Sequence, residues 1–221
     1  MWDSVRDYWV TFNEPLEGVL AFMYLDAKGL VTTGMGNLID ASHTELSEPS
    51  AEEREASHAL AAELAWLRAD DTPASYDEIV QEWDAVKSRM DLAPAGGGHF
   101  APPVTSLHLD SGEIDRIVGE KLVQNENYLV GRAEFSDFAN WPADAQLGLL
   151  SMSWALGPAF RFPKFQAFAA SRDWEGAAEE CTFGPHVGTI NTRNALDQQA
   201  FHNATRVDAE GLDPSELLIA Q

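Results

Sequence analysis

The segment from Pro142 to Pro158, PADAQLGLLSMSWALGP, constrains the fold more than any other part of the chain. At helical spacing, Leu147, Leu149, Leu150, Met152, Trp154 and Leu156 fall on every side rather than along one stripe. A helix that is apolar all round has to be enclosed by other elements. Pro142 marks its start and Gly157-Pro158 its stop, so it is expected at the centre of a helical lobe.

Shorter amphipathic stretches can supply the enclosure. Trp2, Val5, Trp9 and Phe12 recur at three- and four-residue steps and predict a helix over 2–12, which Pro15 ends or bends by disfavouring the α region just before it. Ser50-Ala-Glu-Glu53 is a capping-box signature opening a helix with Ala56, Leu60, Leu64 and Leu67 to one side. Ser75 opens another, with Ile79, Trp83 and Val86 on one face. Ser111 starts a longer one to about Val130, with Ile114, Val118, Leu122 and Leu129 as its stripe. Two more are expected at about 163–180 and 191–206. Between Phe22 and Leu38 the pattern changes to short apolar or threonine-rich runs broken by Ala-Lys-Gly, Gly34 and Gly36, which predicts a β-hairpin or small meander. Ala93 to Pro103, APAGGGHFAPP, reads as loop. The expected class is α+β, mainly α: a small N-terminal β-hairpin lobe, a larger helical lobe and an acidic helical insertion, with a ligand-binding cleft between the lobes. The stretches are 1–40, 41–104 and 105–221, parts of one domain overall.

Composition narrows the function classes. The 221 residues carry 36 Asp and Glu against 14 Lys and Arg, a net charge of −22. Residues 40–91 alone hold 14 acids and 4 bases, a net of −10. Such a chain repels polyanions, so nucleic acid is not an expected partner. No apolar run approaches the ~20 residues of a membrane-spanning helix, and no secretory signal is visible. The single Cys181 excludes an internal disulfide and a cysteine-rich metal site. The six histidines have no ligand spacing, so neither a metal nor a cofactor is expected. Ser151-Met-Ser-Trp lacks the glycine frame of a nucleophile elbow. Trp2, Trp9, Trp66, Trp83 and Trp154 fall on apolar faces, whereas the pattern leaves Trp141 and Trp174 open.

The stretch from Glu17 to Asn37, EGVLAFMYLDAKGLVTTGMGN, carries the chemistry. Taken singly, Glu17-Gly18 is a helix cap, Asp26-Ala-Lys-Gly29 a turn and Thr32-Thr33 strand propensity. Nine extended residues span about 30 Å at ~3.3 Å each, so spacing alone does not bring Glu17 to Asp26. A tight hairpin would turn Asp26 back. Two carboxyl groups, one protonated and one ionised, are what glycoside hydrolysis requires; a gap of about 6.5–9.5 Å admits the water of an inverting route, and about 5 Å a retaining one. Thr32, six residues past Asp26, would return on the facing strand to help hold such a water.

The joint pattern of Glu17, Gly18, Tyr24, Asp26, Gly29, Thr32, Gly34 and Gly36 resembles that of the phage-type lysozymes, glycoside hydrolase family 24. Asp144–Gly157 is similar to that family's central apolar helix. Phe162-Pro-Lys-Phe165 and Asp173–Ala178 resemble the helices that follow it, and Thr189–Asn194 the late segment that brings an arginine toward the active-site glutamate. The resemblance covers about 5–38 and 106–205. Asn37 stands where the family often has histidine, and the family's lysozymes are commonly basic.

What the resemblance implies is a lysozyme-like fold and hydrolysis of the β-1,4 bond between N-acetylmuramic acid and N-acetylglucosamine in peptidoglycan. Glu17 would be the general acid, Asp26 would orient or activate water and Thr32 would help hold it. Arg193 would sit near Glu17, with Tyr24, Gly36 and Asn37 as supporting or substrate-binding positions. The protein would be a phage lysin or an antibacterial effector, made in the cytoplasm and reaching the periplasm or cell wall by holin-type release or injection. Peptidoglycan strands would be its partner; the acidic insertion would be an inert solubilising lid over the cleft, an extra substrate wall, or the surface for an immunity or delivery protein. The rivals are a non-catalytic glycan-binding or structural protein on the same fold, and a lytic transglycosylase.

Overall fold

The structure is a computed structural model and describes residues 1–95, 105–185 and 188–220. It is a mixed α+β fold, mainly helical, with one small antiparallel sheet near the N-terminus. The chain divides into two compact units. One comprises Met1–Glu17 with Gly119–Gln221, the other Gly18–Val118. The first helix thus groups with the C-terminal helices, and the sheet groups with the segment read as an insertion.

In the second unit, β1 (Leu20–Leu25), β2 (Val31–Gly34) and β3 (Asn37–Leu38) form the meander. Tyr24 faces Thr32 and Leu25 faces Val31, while Thr32 and Thr33 face Leu38 and Asn37. A bulge between Leu20 and Tyr24 shifts the first register. Gly34 and Gly36 both have positive φ, which is why the β2–β3 turn takes glycine at those positions.

The acidic segment builds the core beneath this sheet. Helix α2 spans Ala51–Ala62, α3 spans Tyr76–Lys87, and α4 spans Ser111–Val130, its first eight residues lying in this unit. Ser50 with Glu53 and Ser75 with Glu78 form complete capping boxes, the first as expected from the sequence. Ile79, Trp83 and Val86 are buried, as read, in one cluster with Met23, Leu25, Val31 and Ile39. Trp83 Nε1 donates to the Ile39 carbonyl at 2.9 Å. Of the stripe expected on α2, Leu64, just past the helix end, is buried as read, but within the helix the buried face is turned by about one residue. Ala56 and Leu60 are exposed, and Ser57 and Ala61 are buried. The reason is polar: Ser57 Oγ accepts from Ala41 N and the Ala61 carbonyl accepts from Trp66 Nε1, each at 2.8 Å, and these bonds fix which face points inward. The loop read at 93–103 ends a 3-10 stretch, Met90–Ala95, and otherwise lies outside the described residues.

In the first unit, α1 spans Asp3–Glu17, α5 Ala143–Leu156, α6 Pro163–Ala170, α7 Trp174–Glu180 and α8 Gly188–Glu210. Every residue of α5 from Ala143 to Trp154 is buried, as its composition requires. Pro15 does not end α1. The helix continues to Glu17 without one backbone hydrogen bond, a defect of about 3 kcal/mol in an isolated helix, because Val5, Trp9, Phe12, Asn13 and Leu16 are all buried along it. The single helix expected over 163–180 is two: Arg172 takes a left-handed φ of 57°, and the Asp173 side chain then caps α7 by accepting from Gly176 N. Trp141 and Trp174, left open by sequence, are core, with ring centroids 4.9 Å apart.

Helices α5 and α8 meet at Gly148, where an added Cβ would lie 3.0 Å from two atoms of the buried Phe201 ring. Phe165 and Trp174 flank that ring. Gly148→Val is therefore expected to destabilise the protein by about 1–3 kcal/mol through overpacking, read as a lower midpoint in urea.

Candidate functional site

Glu17 is the last residue of α1, and Gly18, with φ +72°, ends the helix behind it. The last turn of α1 has no basic residue, so the carboxylate sits at the negative end of the helix dipole, a placement that disfavours it by about 0.3–1 kcal/mol. Helix stability does not explain Glu17. Compensation comes from α8, where Arg193 Nη2 donates to Glu17 Oε1 at 2.5 Å across 176 positions of chain.

The guanidinium is held rigidly. Arg193 Nη2 also donates to Asn13 Oδ1 at 3.1 Å, and Nη1 donates to Ser151 Oγ at 2.9 Å and to the Ser151 carbonyl at 3.2 Å. Its side chain is 3% exposed, against 27% for Glu17. A buried cation therefore meets a carboxylate that reaches water. Burial lowers the Arg193 pKa, while the charges of Glu17 and Asp197 oppose that shift.

Lys121, on α4, is a second cation coupled to Glu17. Burial pulls its ammonium pKa down to about 8, with Glu17 raising it and Arg193 lowering it further. Its Nζ lies 4.1 Å from the Trp154 ring centroid, a cation–π contact. Asp197 lies one turn beyond Arg193 on α8 and is wholly buried. Among the described residues neither of its carboxylate oxygens has a hydrogen-bond partner of good geometry, although the Ser151 hydroxyl is near enough to act on its charge. Burial raises its pKa to about 7 against the pull of Ser151 and Arg193.

In the other unit, Asp26 directly follows β1. Its Oδ1 accepts from Lys28 N and Leu30 N, each at 2.9 Å, and its own N–H donates to the Leu30 carbonyl. The ordinary turn role is thus real. Because Asp26 pairs with Leu30 and Tyr24 with Thr32, Asp26, Tyr24 and Thr32 share one face of the meander, with Asp26 and Thr32 as diagonal neighbours. The Thr32 hydroxyl donates to the Leu30 carbonyl at 3.2 Å. Asn37 pairs with Thr33, whose side chains take the opposite face, and Gly36 precedes it in the turn. The structure therefore joins Glu17 with Arg193 in one unit and Asp26 with Tyr24 and Thr32 in the other.

Lys121, Ser151 and Asp197 were not singled out as site residues from the sequence. For Asp197 a signal existed: a carboxylate four residues after Arg193, in step with the apolar Phe201 and Ala204. For Lys121 none did, since what buries it is Trp154 of another helix.

No family model matches this chain, and neither the curated proteins nor the solved structures contain a match to it. Among the described residues no group of three or more His, Cys, Asp or Glu is placed to hold a metal ion, and no helix is long and apolar enough to cross a membrane.

Proposed function

We propose that the protein is a peptidoglycan hydrolase of lysozyme-like fold, cleaving the β-1,4 bond between N-acetylmuramic acid and N-acetylglucosamine with inversion. The observation that carries this reading is the Glu17–Arg193 pair: a partly exposed carboxylate at the unfavourable end of a helix, gripped by a buried guanidinium with three other acceptor contacts. That grip fixes the carboxyl group in space, as a positioned general acid requires. Glu17 protonates the glycosidic oxygen as the bond breaks. Asp26 takes the proton of the attacking water, with Thr32 on the same sheet face helping to hold that water. The order of these residues in the sequence resembles that of the phage-type lysozymes, and the activity fits a lysin or a cell-wall-degrading effector that reaches the periplasm by release or injection.

Purified peptidoglycan tests the reading directly. Loss of turbidity with new reducing ends is expected. No clearing at any of several salt and pH conditions would sink it, and anhydro-muramic products would assign the reaction to a lytic transglycosylase.

The turn bonds of Asp26 favour a second reading, a glycan-binding protein on this fold in which Asp26 is only structural. Asp26→Asn separates the two. The amide oxygen still accepts from Lys28 N and Leu30 N, so the turn survives, but the basicity is gone. A base role predicts a rate lower by about 10²–10⁴-fold; unchanged clearing assigns Asp26 to the turn alone.

A further inference from the structure

Asp197 has no part in the proposed bond cleavage, and burying a carboxylate without hydrogen bonds is costly. Its neighbours explain what it does. Arg193 lies one turn earlier on the same helix, Ser151 faces it from α5, and the guanidinium bonds both Ser151 and Glu17. The Ser151 hydroxyl accepts from Arg193 and so keeps its own hydrogen to offer to Asp197. The four side chains form one charge cluster within a single compact unit: Glu17 at the edge, Arg193 and Ser151 in the middle, Asp197 at the buried end.

We propose that Asp197 is a positioning residue for Glu17, its charge state deciding, through Arg193 and Ser151, how tightly the guanidinium holds the Glu17 carboxylate. With Asp197 protonated, no second anion competes with Glu17 for Arg193. When Asp197 loses its proton to solvent, the buried guanidinium is shared between two anions, and its hold on Glu17 loosens.

The other groups around the cluster do not take over this role. The Cys181 thiol, which follows α7, lies near Asp197 and is pushed up well beyond the ordinary thiol range by burial and by the Asp197 charge, so it remains neutral. Lys121 reaches Glu17 and Arg193 from α4 as a cation, and burial pulls its own pKa down to about 8, so its charge is lost above the Asp197 midpoint. Asn13 from α1 contributes an uncharged acceptor to Arg193. On the outer side of α8, His202 pairs with Glu175 of α7 at an exposed position. Asp197 is the buried carboxyl group of the cluster, and it changes charge with a midpoint at about 7, before Lys121 does at about 8.

The coupling itself does not depend on the glycosidase reading; its catalytic consequence does. Carboxyl ¹³C and arginine ¹⁵N resonances of the full chain, followed from about pH 5 to about pH 9, are the probe. In the wild type the Asp197 and Arg193 signals should move with one common midpoint. Asp197→Asn, close to isosteric, should abolish the Arg193 transition at about pH 7 and leave only the one near pH 8 that follows Lys121. Glu17→Gln removes a competing anion from Arg193 and should lower the Asp197 midpoint by about one pH unit, a tenfold change in proton affinity. If Asp197→Asn does not fold, the Glu17→Gln titration still decides. Arg193 signals that titrate unchanged in Asp197→Asn, or an Asp197 midpoint unmoved by Glu17→Gln, would overturn the proposal. If the protein clears peptidoglycan, Asp197→Asn should also flatten the limb of its pH–rate profile near neutrality. Coupled titrations without any clearing would leave this inference standing and remove the muramidase reading instead.

Discussion

Glu17→Gln is expected to slow peptidoglycan clearing by about 10²–10⁴-fold, the contribution of a positioned general acid, while leaving the protein folded. Glutamine keeps an oxygen where Arg193 Nη2 donates, and Asn13 and Ser151 continue to hold the guanidinium. The loss of stability is therefore about 1–2 kcal/mol, the difference between a charge-assisted and a neutral hydrogen bond. A structural ion pair predicts the reverse: normal clearing with a lower melting temperature. Measuring rate and unfolding on the same preparation separates the two. Equal clearing by wild type and variant would end the acid assignment. Because Arg193 is buried and Glu17 is not, Arg193→Met should cost more stability than Glu17→Gln.

Lys87→Met is expected to be the most destabilising conservative change in the unit that carries the sheet. Lys87 and Asp40 are both essentially buried. Lys87 Nζ donates to Asp40 Oδ2 at 2.9 Å and to the Gly29 carbonyl at 2.8 Å, tying α3 to the turn that contains Asp26. Methionine preserves the bulk of the stem but leaves the Asp40 carboxylate buried without its cation, which costs about 3–5 kcal/mol. Against a typical total of about 5–15 kcal/mol, that shift is large in a urea titration. Asp40→Asn in the same chain should recover part of the loss; a Lys87→Met protein within about 1 kcal/mol of wild type would mean the pair does not hold the turn.

The same pair makes stability fall in acid. Burial alone would raise the Asp40 pKa, but bonds from Lys87, Ser42 and Val31 more than offset it and hold Asp40 below the ordinary aspartate value. A folded pKa below the unfolded one contributes stability above the unfolded pKa, and that contribution is lost as pH falls through the folded value. The loss should be absent from Asp40→Asn with Lys87→Met.

The sequence was legible where the cause of structure is short in range. Ser50 with Glu53 is a complete cap because its two hydrogen bonds close within four residues. The all-round burial of α5 follows from composition alone, and the turn at Gly34 and Gly36 from the φ those positions need. Pro15 shows where local preference fails: the buried face of α1 outweighs a missing hydrogen bond that would end a solvated helix. The same holds for α2, where two hydrogen bonds to Ala41 and Trp66 turn a stripe that periodicity put one residue away.

The site divides in the same way. The order Glu17, Asp26, Thr32, with glycines after the helix and in the turns, is a property of the sequence, and so is the sheet face shared by Asp26 and Thr32 once the hairpin forms. That acidic residues 40–91 include the floor of the sheet rather than only a solvated appendage was decided by packing, since Ile79, Trp83 and Lys87 find their partners about forty to sixty positions earlier in the chain. The grip of Arg193 on Glu17, the partial burial of Lys121 against Trp154 and the isolation of Asp197 likewise exist only in three dimensions. The reason is physical: a charge acquires unusual properties when water is removed from it, and which charges lose their water depends on what distant parts of the chain place over them.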